Sequence, residues 1–311
     1  MTLSYKKTDL KFKKNSDTDI KCIGSIEEVR TARVIQYSPV KLQQAQVQPV
    51  KVESMLTFKK EITEQLYLGK LITDVVVTED NKLLLCDFQK ERYNIYVFKI
   101  NQQNLAYNTT LSVPSGPYGI SKLTGTDKVI VTLPYKSYVQ FIDTNTLTLD
   151  KTIKVGRDCF GITTTGDYIA VGKIREIKIF KSKGENIRNI VLSDLLDDSK
   201  YVSSLHYNHN DGSIIYRKMG LISRIQFDGT ISYRYVLSGE AGLAVDTQGQ
   251  VYVCEFDRSE IQRLLPDGRV RDVVMTYKDG IKDPFAIAFN ERFTKFVVTS
   301  INGLVQIYNC K

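Results

Sequence analysis

The chain has 311 residues, 42% hydrophobic and 25% charged, which is apolar enough for a large core and too often interrupted by charge for a membrane-spanning run. The start, MTLSYKKTDLKFKK, lacks the apolar run of a secretory signal, and the five cysteines (22, 86, 159, 254, 310) are odd in number and never spaced C-x-x-C. These features exclude a disulfide framework and a cysteine zinc site, and they predict a cytoplasmic protein with reduced thiols and no cofactor.

The net charge of +8 is unevenly placed. Residues 1–60 hold 12 Lys/Arg against 6 Asp/Glu, and the rest of the chain holds 31 against 29. Basicity is therefore mainly a property of the N-terminal segment. That weakens the case for broad nucleic-acid affinity, so no DNA partner is expected.

In chain order, residues 1–53 read as a basic linker or extension. Within it, KKTDLKFKK alternates as an edge strand packed on the body of the protein would, and its interspersed acids disfavour a membrane-binding tail. Residues 54–311 read as one repeating β domain. SMLTFKKEITEQL (54–66) is a lone strand, followed by six similar units that begin near Asp74, Gly119, Gly161, Ser204, Gly242 and Ala286. Each unit has a short apolar strand, a turn, a second and third apolar strand, and a turn carrying Gly, Asn or Asp. IVLSDLLDDSKY, in the third, reads as a strand followed by a loop. Spacings of 45, 42, 43, 38 and 44 residues are those of propeller blades. The sixth unit ends at Lys311 after its third strand, so the lone strand at 54–66 is expected to supply its outermost one and close the ring. The predicted fold is an all-β, six-bladed β-propeller.

The fifth unit, GLAVDTQGQVYVCEFDRSEIQRLLPDG, resembles the NHL repeat, and the other five follow it in order and spacing. The preceding LSYKKTDLKF…IKCIGSIEEV and QYSPVKLQQAQVQPVKVESMLTFKKEI are similar to the linker before the propeller in tripartite-motif (TRIM) proteins expanded in bivalve molluscs. The resemblance implies the substrate-recognition end of such a ubiquitin-pathway protein. Ligase activity in that family lies in a RING with clustered Cys/His ligands, and this sequence has no such cluster.

Six-bladed propellers also carry enzymes, so a channel-site lactonase or hydrolase is the competing class. Near the unit starts stand mainly Tyr118, Phe160, Ser203, Ala241 and Phe285, a poor cage for a hard cation. Asp74 and Asp158 are the acids nearby and read as makers of ordinary loop hydrogen bonds. His206 and His209, in HYNH, read as an exposed pair on a hairpin turn. No nucleophile elbow, P-loop or dinucleotide fingerprint is present. No catalytic or metal-binding residue is assigned.

A binding surface is expected on the face where inter-blade connections and the turns between second and third strands emerge. In the second to fourth units these segments carry Lys136, Arg157, Lys173, Arg175, Lys200, Arg217 and Lys218, interleaved with Tyr135, Tyr138, Phe160 and Tyr201. In the fifth and sixth they carry Glu240, Glu255, Asp257, Glu260, Asp279 and Asp283 against Arg258 and Lys282. A basic, aromatic arc would face an acidic one. Opposed arcs suit a protein partner, and short single-stranded RNA is the alternative.

Overall fold

The computed structural model describes residues 9–12, 26–29, 56–67, 71–89, 93–192, 201–237 and 242–311. The chain divides into two units, Met1–Ser54 and Met55–Lys311. In the first, strand Asp9–Phe12 pairs antiparallel with Ile26–Val29. The strand expected in KKTDLKFKK is thus present, and its ladder partner lies in its own unit rather than in a blade.

The described residues of the second unit form six four-stranded antiparallel sheets in a β-propeller. Blade 1 runs Ile72–Val77, Lys82–Asp87, Asn94–Ile100 and Leu105–Ser112. Blade 2 runs Ile120–Leu123, Lys128–Leu133, Tyr138–Asp143 and Thr148–Lys154. Blade 3 runs Ile162–Thr164, Tyr168–Gly172, Glu176–Lys181 and Asn186–Val191. Blade 4 runs Val202–Asn208, Ser213–Lys218, Leu221–Ile225 and Ile231–Val236. Blade 5 runs Leu243–Val245, Val251–Glu255, Glu260–Leu264 and Val270–Met275. Blade 6 runs Pro284–Phe289, Lys295–Ser300 and Leu304–Cys310, and its outermost strand is Phe58–Gln65. The lone strand closes the ring as the sequence predicts, with Ile307 opposite Ile62 and the Thr57 and Lys311 backbones bonded both ways. IVLSDLLDDSKY begins as the expected strand, and its loop, 193–200, lies outside the described residues.

The core consists of six apolar clusters, one between each pair of neighbouring blades. This explains why inner strands are apolar throughout rather than alternating. In KLLLCD every residue is buried, Leu83 and Leu85 against blade 6 and Leu84 and Cys86 against blade 2.

Glycine begins several blades because inner strands crowd together around the axis. A Cβ on Gly119 would lie 2.6 Å from the Phe160 carbonyl oxygen, and one on Gly242 3.0 Å from the Phe285 oxygen. The turn after each inner strand is tied by a side chain. Asp246 accepts from the Gln248 and Gln250 amides and from the Tyr252 hydroxyl, while Asn290 accepts from the Thr294 and Lys295 amides.

Candidate functional site

The inter-blade connections and the turns between second and third strands emerge together, forming what we term the connector face. Five rings from separate loops gather there. Tyr118 meets Phe88, Phe160 and Tyr201 edge-on, with ring centroids 5.1, 5.1 and 5.6 Å away. Tyr135 stacks on Phe88 at 5.4 Å, and Phe160 stacks on Tyr201 at 3.8 Å. Tyr118 is buried beneath the two stacked pairs and lines the upper end of the central channel.

The structure brings together part of the predicted basic arc. Lys136, Arg157 and Arg175 are exposed, with Asp158 the exposed acid among them. Tyr135 tops a short 3-10 turn, Pro134–Lys136, and is 62% exposed. Phe160 and Tyr201 are half-buried, and Lys200 lies outside the described residues. Tyr138 is half-buried as well and packs against the apolar cluster between blades 1 and 2. Three other residues are corrections. Lys173 is buried, its ammonium donating to the Arg157 carbonyl, and burial lowers its pKa. Arg217 and Lys218 are not loop residues. They end the second strand of blade 4 and are buried, Arg217 donating to the Cys254 carbonyl at 3.0 Å.

The acidic arc contracts in the same way. Glu255 ends the second strand of blade 5 and is buried, and Asp279 is occupied in capping its own turn through Thr276. Asp257 and Arg258 are exposed side by side, as are Asp279, Lys278 and Lys282, so the exposed charge of this arc is mixed. Glu240 lies outside the described residues. Glu260 and Asp283 are half-buried, so among the described residues the opposition of arcs is weaker than the sequence predicts.

Three exposed tyrosines escaped the sequence reading. Tyr67, Tyr93 and Tyr277 are 96%, 38% and 69% exposed, and each sits on the connector face beside blade 1 or blade 6. With Tyr135 they account for four of the five exposed tyrosines among the described residues. The fifth, Tyr107, lies on the outermost strand of blade 1. Their signal was tyrosine in a connection, where no strand pattern calls for an aromatic ring.

The channel holds a second group of polar residues. A cavity of about 190 Å³ is walled by inner strands and by the turns of the opposite face, with Asp74, Ser121, Lys122, Thr163, Ser204, His206, Tyr207, His209, Phe289 and Glu291 in its lining. Asp74 accepts from the Val75 and Ile120 amides, both at 2.9 Å, and so ties blade 1 to blade 2. It does make backbone hydrogen bonds as predicted, but in the channel wall rather than a loop. Burial pushes its carboxyl up to about 7 against the lowering effect of those two bonds. His206 is a further correction: it lies on the inner strand of blade 4 and lines the cavity, and burial, then His209, pushes it down to about 4. Only His209 is exposed in the turn.

At the mouth, the Lys122 ammonium is held by Glu291 and by Glu79 at 3.1 Å. Burial raises the Glu291 carboxyl, and hydrogen bonds to Glu291 and Lys122 lower that of Glu79. Among the described residues no three His, Cys, Asp or Glu side chains are grouped as a metal site requires, and no helix is long and apolar enough to cross a membrane.

The fold is that of the six-bladed propellers. Solved structures similar to it include a streptogramin B lyase, at 12% identity and a TM-score of 0.57, covering 82% of this chain and 98% of the other. A virginiamycin B lyase from Staphylococcus aureus is similar at 11% identity and a TM-score of 0.57, covering 82% and 99%. A catalytically inactive form of the Staphylococcus aureus enzyme with quinupristin is similar at 15% identity and a TM-score of 0.55, covering 82% and 89%. At such identities the likeness is one of fold alone. No family model matches the chain, and no curated protein matches it.

Proposed function

We propose that this propeller is a non-catalytic interaction module acting in the cytoplasm, akin to the substrate-recognition end of TRIM-type proteins, and that its connector face binds a protein partner. One observation carries the reading: four exposed tyrosines, 67, 93, 135 and 277, stand on the same face as the exposed bases Lys136, Arg157 and Arg175. Tyrosine and arginine dominate protein hot spots because they offer large, stiff contact area with a polar end. The complementary partner is an acidic segment carrying apolar anchors. The lyase chemistry named for the structural neighbours is the competing reading.

The test is selection of binding peptides from a random display library, followed by affinity measurement on variants. Acidic, aromatic-rich peptides should weaken at least about tenfold on Tyr93→Ser combined with Tyr135→Ser, about 1.4 kcal/mol. Peptides that bind both proteins equally would refute the assignment. The stacked Phe160 and Tyr201, beside Arg157 and Arg175, favour RNA as the second reading. A salt-sensitive gel shift with short single-stranded RNA, lost on Arg157→Glu with Arg175→Glu, would support it.

A further inference from the structure

The channel cavity lies away from the connector face, beneath the aromatic plug around Tyr118, and the proposed docking surface makes no use of it. At about 190 Å³ it has room for roughly six waters at ~30 Å³ each. Three of its polar groups have hydrogen-bonding capacity left over. The Asp74 carboxylate accepts one backbone amide on each oxygen, which leaves lone pairs on both. The Ser204 hydroxyl and the His206 imidazole make no side-chain hydrogen bond with the described residues. Ser204 and His206 are two apart on one strand and so share a side of it, while Asp74 belongs to the blade diametrically opposite in a six-membered ring.

Acidic side chains outnumber basic ones around the cavity. Asp74, Glu79 and Glu291 are acidic, and the one lysine in the lining, Lys122, is engaged by two of them. Tyr207 of blade 4 and Phe289 and Phe293 of blade 6 also line the cavity, the latter two with ring centroids 5.4 Å apart. Acceptors with free lone pairs, acidic side chains and aromatic rings in one lining match one chemical class, an organic cation with several donors.

We propose that the cavity binds a small primary ammonium compound, its three N–H donors meeting Asp74, Ser204 and His206 and its alkyl part lying against Tyr207, Phe289 and Phe293. An ammonium group matches three acceptors one for one, which an alcohol or a carboxylate does not. Binding a cation also supplies the counter-charge that the enclosed Asp74 lacks.

The proposal carries a pH dependence with a definite sign. Asp74, raised to about 7, must ionise to hold the cation, so binding strengthens as pH rises. The other groups around it are Lys122 from blade 2, Glu79 and Glu291 on the turns of blades 1 and 6 with Arg292 acting on Glu79 from outside the lining, and His206 and His209 on blade 4. Cys86 lies opposite Asp74 on the neighbouring strand, and burial holds its thiol neutral. His206, near 4, is neutral across the range that matters.

The experiment is calorimetric titration of the full chain with n-butylammonium chloride at pH 6 and pH 8, at constant ionic strength, with 1-butanol as the neutral control. A carboxyl titrating near 7 predicts about tenfold tighter binding at pH 8, since its ionised fraction rises by about that factor. Asp74→Asn should abolish both the affinity and its pH dependence. Ser204→Ala removes one acceptor without touching the Asp74 bonds between blades, and should weaken binding several-fold; it decides the matter if Asp74→Asn does not fold. Absence of binding at pH 8, equal binding of 1-butanol, or unchanged affinity in Ser204→Ala would overturn the proposal. So would a pH dependence that disappears with His209→Gln.

Discussion

Replacing Gly119 with alanine tests the reason that glycine stands at the start of blades. Its backbone is not in the left-handed region, so conformational freedom is not what requires it. The added Cβ would sit 2.6 Å from the Phe160 carbonyl oxygen and 3.2 Å from the Ile162 amide nitrogen, both backbone atoms of the next blade. Ordinary contact begins near 3.4 Å, so blades 2 and 3 must separate by more than half an ångström. Neither neighbour can swing away as a side chain tip would. Overpacking of this kind costs about 1–3 kcal/mol, and the stiffer unfolded chain offsets about 0.4–1 kcal/mol. A net loss of about 1–2 kcal/mol lowers the melting temperature by about 2–8 °C in a domain of this size. Gly166→Ala is the control: a Cβ there meets nothing within 4 Å, so its melting temperature should hold or rise slightly. Thermal melts by circular dichroism compare the two. A Gly119→Ala protein melting within about 1 °C of wild type would refute the crowding argument.

Three other outcomes are expected. Ile62→Ala, in the strand that closes the ring, should cost about 2–4 kcal/mol in urea unfolding, because Ile62 is 3% exposed and packs between blades 6 and 1. Arg217→Ala should cost about 2–4 kcal/mol and Arg175→Ala under about 0.5, since the first is buried against the Cys254 carbonyl and the second is exposed. Asp74 and His206 should tilt the pH–stability profile in opposite directions. The folded state holds the Asp74 proton more tightly than the unfolded chain, so this group's contribution is full below about 3.8 and is lost as pH rises to about 7. His206 is the reverse: its contribution is full above about 6.5 and is lost as pH falls toward 4. The two nearly cancel in the wild type. His206→Gln should therefore gain melting temperature on acidification from pH 7 to 4.5, and Asp74→Asn should lose it; parallel profiles for all three proteins would contradict both shifts.

The blades were legible because strands sandwiched between two neighbours must be apolar on both faces, and short apolar runs at a constant interval record that directly. What varied between repeats has an equally physical cause. Thr78, Thr165, Asn208, Asp246 and Asn290 each accept backbone amides in the turn after an inner strand, so one task is met by three residue types. Only blade 5, with Asp246, displays the motif by identity. Strand ends were harder. Apolar patterning in blade 4 stops at Tyr216, yet Lys218 still pairs with Val202 and Leu221, and a residue inside the ladder is covered by the blades on either side. Charge alone therefore placed Arg217 and Lys218 on the surface, where the structure does not. The same reasoning put His206 in a turn, although the inner strand continues through Asn208.

The channel was least legible of all, and for a reason of topology. Its wall takes one short strand from each blade, so residues that face one another lie far apart in the sequence: Asp74 and His206 belong to the first and fourth blades. Local pattern reports which side of a strand a residue occupies, and only ring closure determines what stands across from it. A polar residue on an inner strand is costly unless its hydrogen bonds are met. Asp74 meets that cost partly by tying two blades together, and its upward shift measures what remains uncompensated. Burial of a carboxyl beyond what its two amide bonds offset is a feature of the channel that no local pattern in the sequence discloses.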